Sequence, residues 1–221
     1  MALRNEPLRL VTYGTSLTAE RVVLPWRRVG GAWVQQLRIW GASTVEIPAV
    51  VFNCARWGVT SSWGWRHALR RVARRNPDLV LMEFAINDAD HRRGISLAQS
   101  RTNLLAIIDT IRRHTRGCRI VLMTTNPCRG RHATYRPELP RYYALYREVA
   151  ATLGLPLADM EPIWQKLATN DPDRFRSYLP DGVHPTETAC KALIAPVVID
   201  TVAAALEGKP IWENYVGGVT P

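Results

Sequence analysis

The chain has 221 residues, of which 47% are hydrophobic and 22% charged, and it carries a formal charge of +10. That balance excludes an extensively disordered chain, and the length suffices for one domain with a sizeable core. No Gly/Ser linker, low-complexity run or fixed-period repeat divides it, so we expect one domain over residues 1–207 and an extended tail over 208–221.

The first element is the apolar, partly β-branched run Leu8 to Tyr13, which stops at Gly14 as a buried strand feeding a tight turn does. The segment Thr18 to Gly30, interrupted by Pro25, reads as irregular. Trp33, Leu37 and Trp40 then recur at helical spacing and mark a helix ending at Gly41, with both tryptophans in the core. Ala49 to Asn53 is a second buried strand, followed by the loop NCARWGVTSS, in which Ser61 or Ser62 can cap a helix from about Trp63 to Arg75. That helix is expected to bury Trp65, Leu69 and Val72 and to show its arginines to solvent.

Asp78 to Phe84 forms the third strand and breaks into AINDADHRRG. Ser96 caps a helix with Leu97, Leu104, Leu105, Ile108 and Ile111 on one face, ended by Gly117. Arg119 to Thr125 is the fourth strand, and its loop, NPCRGRHATYRPELPR, is too polar for core. A helix from about Leu139 to Leu153 stops at Gly154, Leu155 to Ala158 is the fifth strand, and the last helix runs from Thr186 towards Leu206 with a kink at Pro196. Strand and helix alternate throughout, which specifies an α/β/α three-layer sandwich on a parallel sheet.

In such a sheet the carboxyl ends of the strands face the ligand crevice. Ser16 follows the first strand, Asn53 and Gly58 the second, and Asn87 the third, while Asp181 and His184 share the short loop before the last helix. A hydroxyl nucleophile, an imidazole base, a carboxylate to fix its tautomer and donors for an oxyanion are the parts of an acyl-transfer site. The same four segments, YGTSLT, NCARWG, AIND and DGVHP, resemble the four blocks of the SGNH (GDSL-type) serine hydrolases, in order along most of the chain. The resemblance implies a flavodoxin-like, five-stranded parallel sheet of order 2-1-3-4-5. It also implies Ser16 as nucleophile, Asp181 and His184 as the rest of the triad, and Ser16, Gly58 and Asn87 as the oxyanion hole. Thr15 stands where the family usually carries Asp, and Ala85 where it usually carries Gly, adding a methyl expected to restrict the acyl group near the oxyanion region.

Arg56, Arg92, Arg93, Arg129, Arg131 and Arg136 all fall in loops after strands. With Trp57 beside Gly58, the first five are expected to bind substrate, forming an electropositive rim for an acidic one. The function implied is a serine esterase removing a short acyl group, acetyl foremost, from a carbohydrate through an acyl-enzyme. Lysophospholipase, thioesterase and acyltransferase activities of the same family are the alternatives, and a basic α/β protein binding nucleic-acid phosphates is the non-enzymatic one, although no nucleic-acid motif is present. No cofactor is needed for this chemistry. Cys54, Cys118, Cys128 and Cys190 lack the paired spacing of a zinc site, so free thiols and no metal are expected. No apolar run reaches the roughly eighteen residues of a membrane span. MALRNEPLRL lacks the apolar core of a leader, so a cytoplasmic location is the default expectation, or secretion if a signal peptide was removed before this numbering.

Overall fold

The computed structural model describes residues 6–24, 27–29, 31–43 and 48–207. The tail expected over 208–221 lies outside these residues. The strands are β1 (Leu8–Gly14), β2 (Arg21–Leu24), β3 (Arg27–Val29), β4 (Ala49–Asn53), β5 (Leu79–Glu83), β6 (Arg119–Met123) and β7 (Leu157–Ala158). Five of them form one parallel sheet in the order β4-β1-β5-β6-β7, which is the 2-1-3-4-5 order that the sequence resemblance implies. Period-2 alternation distributes each strand between two cores. Val11, Tyr13, Val80, Met82, Ile120 and Leu122 face one layer, and Leu8, Leu10, Leu79, Leu81, Val121 and Met123 the other.

The helices are α1 (Ala32–Ser43), α2 (Ser61–Arg71), α3 (Ala85–Asp88), α4 (Leu97–His114), α5 (Arg131–Thr134), α6 (Leu139–Leu153), α7 (Glu161–Asn170), α8 (Pro172–Tyr178), α9 (Glu187–Ala189) and α10 (Ala195–Glu207). Residues of α2, α4 and α6 close the first core, and residues of α1, α7 and α10 the second. Each fully buried aliphatic side chain contributes about 1.5–3 kcal/mol relative to exposure. α9 and α10 are joined by a π-type turn, Cys190–Ile194. Pro196, which lacks an N–H to donate into the preceding turn, follows it, and the helix runs on rather than breaking. The run Glu187–Glu207 is long and apolar enough by composition to cross a membrane, but Ala195, Val198, Val202, Ala205 and Leu206 are buried in the second core.

Several local expectations are corrected. Residues Arg21–Leu24 and Arg27–Val29, expected to be irregular, pair as an antiparallel hairpin. Trp65 and Leu69, expected in the core, are 50% and 39% exposed. The inward face of α2 is instead the small-residue stripe Ser61, Gly64 and Ala68. This lets the helix lie so close that a Cβ on Gly64 would sit 2.7 Å from the Phe84 ring, and the Tyr13 hydroxyl donates to Gly64 O at 2.7 Å. Thr60, not Ser61 or Ser62, occupies the N-cap of α2, and the Ser61 amide donates to Asp88 Oδ1 at 2.8 Å. On α4, Leu105 is exposed and Ile107 is buried in its stead. Trp33 is buried as expected, and the Ser96 hydroxyl caps α4 by accepting from Gln99 N.

Candidate active site

The chain leaves β1 for β4 on one side of it and then passes to β5 on the other, so the strand order reverses at β1. A crevice opens outside the carboxyl end of a strand at such a reversal. Ser16 sits there, in a turn closed by Ala19 N donating to Thr15 O at 2.9 Å. Its Oγ lies 2.9 Å from His184 Nε2, and His184 Nδ1 lies 2.7 Å from Asp181 Oδ2. With an acceptor carboxylate on Nδ1, the proton of a neutral imidazole resides there, leaving Nε2 to accept the Ser16 hydroxyl proton. Asp181 Oδ1 meanwhile accepts the amides of Val183 and His184 at 2.9 and 2.8 Å, so one carboxylate orders both the loop and the ring. Burial would raise the Asp181 carboxyl, but the bonds from the His184 ring and from these two amides outweigh it and hold it well below the usual carboxylate range.

The loop carrying this pair is braced from β6. Arg129 Nε donates to Leu179 O at 2.6 Å and its Nη2 to Pro180 O at 2.9 Å, while Arg129 N donates to Gly182 O at 2.9 Å. Buried Asn126 adds a bond from Nδ2 to Val183 O at 2.9 Å. On the other side of the crevice, Asn87 is buried on α3, and its Nδ2 donates to Val59 O at 2.8 Å. One amide proton therefore fixes the loop that contains Gly58, and the second is left for a ligand oxygen. Arg136 faces the other end of the same amide, 3.5 Å from Asn87 Oδ1, while its Nε donates to Ile86 O at 2.7 Å. A flipped amide would set acceptor against Val59 O and donors against a guanidinium, so both neighbours impose the same orientation. Neither the Ser16 nor the Gly58 amide is bonded to another described residue. A hydroxyl, an imidazole and a carboxylate in line, beside uncommitted donors, can perform acyl transfer.

The sequence profile of the GDSL-like Lipase/Acylhydrolase family matches residues 12–192. The chain belongs to that family. It is accordingly a serine ester hydrolase, and the non-enzymatic alternative gives way. No curated protein sequence matches the chain. Among solved structures it is similar in fold to a lipase/acylhydrolase from Enterococcus faecalis (22% identity, TM-score 0.75, covering 91% of this chain and 98% of that one). It is likewise similar to TesA (24%, 0.67, 90% and 99%) and to Axe2, an acetylxylan esterase from Geobacillus stearothermophilus (17%, 0.72, 88% and 94%).

In this GDSL-like hydrolase the residues expected to meet substrate divide into braces and walls. Trp57 stacks on the His184 ring, centroids 4.9 Å apart and planes 26° apart, and so walls one face of the imidazole. Arg56 is exposed, 6.0 Å over the Trp63 ring. Four of the arginines have partners within the chain. Arg129 braces the Asp181 loop, and Arg93 holds the Gly58 loop through Gly58 O at 2.6 Å. Arg92 grips Asp90 with Nε and Nη2, at 2.8 and 2.6 Å, and lies 3.4 Å over the Tyr135 ring. Arg131 donates to the Tyr135 hydroxyl and lies 5.3 Å over the same ring. Arg136, placed by its polar loop on the rim, is only 6% exposed and pairs with buried Asp90 at 3.3 Å. Ala85 also differs, because its methyl belongs to the first core rather than to an open oxyanion region.

Two groups that sequence reasoning missed support the site from below. Asp88 joins α3 to α2 and α4 by accepting Ser61 N at 2.8 Å and Ser100 Oγ at 2.6 Å, with its carboxyl raised by burial. Glu83, a fully buried carboxylate at the end of β5, lies under the Ser16 turn. Its signal was a single acid closing the apolar run DLVLME. Among the described residues no cluster of three or more His, Cys, Asp or Glu side chains could hold a metal ion, and Cys54, Cys118, Cys128 and Cys190 form no disulfide.

Proposed function

We propose that the protein hydrolyses a short-chain ester, acetyl foremost, on a carbohydrate through an acyl-enzyme formed on Ser16. The observation that carries this reading is the unbroken chain of hydrogen bonds Ser16–His184–Asp181 beside Asn87. His184 Nε2 takes the Ser16 proton as Oγ attacks the ester carbonyl, and Asp181 holds the imidazole and balances the imidazolium. The Ser16 and Gly58 amides and Asn87 Nδ2 receive the oxyanion. His184 then protonates the leaving alcohol and activates the water that cleaves the acyl-enzyme. No cofactor enters this cycle. An acetyl-sized acyl group is supported by the half-buried Trp57 ring stacked against His184 and by the Arg93 and Arg129 bonds that fix the Gly58 and Asp181 loops. A saccharide alcohol is supported by the polar loops around the crevice and by the fold shared with an acetylxylan esterase. An acidic saccharide is favoured by the exposed guanidinium groups of Arg56 and Arg131.

The test is hydrolysis of 4-nitrophenyl esters of increasing chain length by the wild type and by Ser16→Ala. The wild type should prefer acetate, and Ser16→Ala should be folded and inactive, with Tm within a few degrees, because the substitution removes one hydroxyl. Near-wild-type turnover by Ser16→Ala would remove the nucleophile. A preference for long chains would assign the protein to lysophospholipase or thioesterase chemistry.

A further inference from the structure

Among the buried carboxylates that the chemistry above does not use, Glu83 lies nearest the nucleophile's turn. Glu83 closes β5 opposite Gly14 of β1, and its side chain is 0% exposed. Glu83 Oε1 accepts the Thr15 amide at 2.6 Å and the Thr18 hydroxyl at 2.8 Å, and the Thr15 hydroxyl lies 3.0 Å from both carboxylate oxygens. Thr15 Oγ1 in turn accepts Leu17 N at 3.3 Å. The residues on either side of Ser16 are thus tied, directly or through one hydroxyl, to a single group beneath them. Gly14 makes the approach possible, since a Cβ there would run into Oε1 and lie 2.5 Å from the Glu83 carbonyl oxygen.

We propose that Glu83 is a positioning residue for the nucleophile, its carboxylate holding the Thr15–Thr18 turn in the conformation that aims Ser16 Oγ at His184. The proposal rests on Ser16 being the nucleophile. A buried carboxylate without a cation is costly. The titratable groups that face it, Asp88 on α3 and Tyr143 and Tyr146 on α6, supply no positive charge. What compensates it is the turn itself, which offers one amide and two hydroxyl donors. Thr15 thereby does with a hydroxyl and an amide what stabilises this turn without an acid at its own position.

Burial raises the Glu83 carboxyl to about 7, against the pull of the Thr15 and Thr18 bonds. The grip is therefore a property of the ionised form. Protonation turns one carboxyl oxygen into a donor and removes the negative charge that strengthens the turn's amide and hydroxyl bonds, so the grip weakens. Turnover should therefore fall as Glu83 is protonated around and below neutral pH.

The experiment is the pH profile of kcat and KM on 4-nitrophenyl acetate for the wild type, Glu83→Gln and Thr18→Val. Glu83→Gln cannot titrate and sets an amide NH2 against the turn's donors. It should lose about tenfold or more in kcat with little change in KM, and its acid limb should lose the contribution of Glu83. Thr18→Val keeps the carboxylate but removes one of its donors, so it should show a smaller loss and an acid limb displaced to higher pH. It reports on the idea even if Glu83→Gln does not fold. Wild-type kcat and an unaltered acid limb in both variants would overturn the positioning role. An active Ser16→Ala would instead overturn the nucleophile on which it depends.

Discussion

Gly182 separates Asp181 from Val183 and His184, and the structure gives it two constraints that can be priced separately. Its φ is +90°, a region where an L side chain costs about 1–2 kcal/mol. A Cβ there would also lie 2.5 Å from Arg129 O, a backbone atom that cannot swing aside. Relief of that contact must separate the two strands of the loop and weaken the 2.9 Å bonds Arg129 N to Gly182 O and Gly182 N to Leu179 O, at about 1 kcal/mol each. Gly182→Ala should therefore lose about 3 kcal/mol, or roughly 6–12 °C in Tm for a chain of this size. Gly154 provides the control. It closes α6 with φ +61°, and an added Cβ meets nothing within 4 Å, so Gly154→Ala should lose only about 1 kcal/mol. A displacement of the Asp181–His184 pair by about 1 Å costs on the order of 100-fold in turnover, so Gly182→Ala should lose kcat and Gly154→Ala should not. Thermal melts by circular dichroism and kcat on 4-nitrophenyl acetate measure both terms. Equal Tm losses for the two variants, or wild-type kcat in Gly182→Ala, would refute the reasoning.

Asn87→Ala should lower kcat by about 10²–10³ if Nδ2 receives the oxyanion, with KM little changed; steady-state kinetics on a short-chain ester decide it. Hydrogen bonds from Arg92 depress the buried Asp90 carboxyl to about 2, so its stabilisation is complete above the ordinary carboxylate range and is lost as pH falls through 2. Asp90→Asn should accordingly be about 2 kcal/mol less stable at pH 7, with the difference shrinking in acid, as urea midpoints at several pH values will show. Because Arg56 and Arg131 remain exposed, kcat/KM on an acidic acetylated saccharide should fall as salt shortens the Debye length to about 8 Å. A neutral aryl acetate should respond little, and charge reversal at Arg56 and Arg131 should abolish the contrast.

The five strands of the parallel sheet were legible because both faces of that sheet are covered, so each reads as an apolar run ended by a turn, and α6 was bounded by Gly154. The in-line groups were legible because Ser16, Asn87, Asp181 and His184 each follow or precede such an element. What sequence pattern missed has two physical origins. On α2 Trp65 and Leu69 point outward while Ser61, Gly64 and Ala68 point inward, because close helix approach, not side-chain volume, made that interface. No clear pattern marked α7 and α8 either, since α7 begins with Glu161, whose charge is met by Arg147 at 2.7 Å, fourteen residues earlier. The partners of the arginines were hidden for the same reason. Arg93, Arg129 and Arg136 hold backbone carbonyls of residues 35 to 51 positions away, and no local spacing announces such partners.

Ser16 and His184 stand 168 residues apart in the chain and 2.9 Å apart in space. At the pace of translation, about 5–20 residues per second, the serine leaves the ribosome roughly 10–30 s before its proton acceptor is made. In the mechanism proposed above, the nascent chain throughout that interval carries a hydroxyl with no base, and hydrolysis begins only when the loop before the last helix has docked. The onset of activity in a synchronised translation reaction is therefore a clock for completion of the fold, readable without any label on the protein.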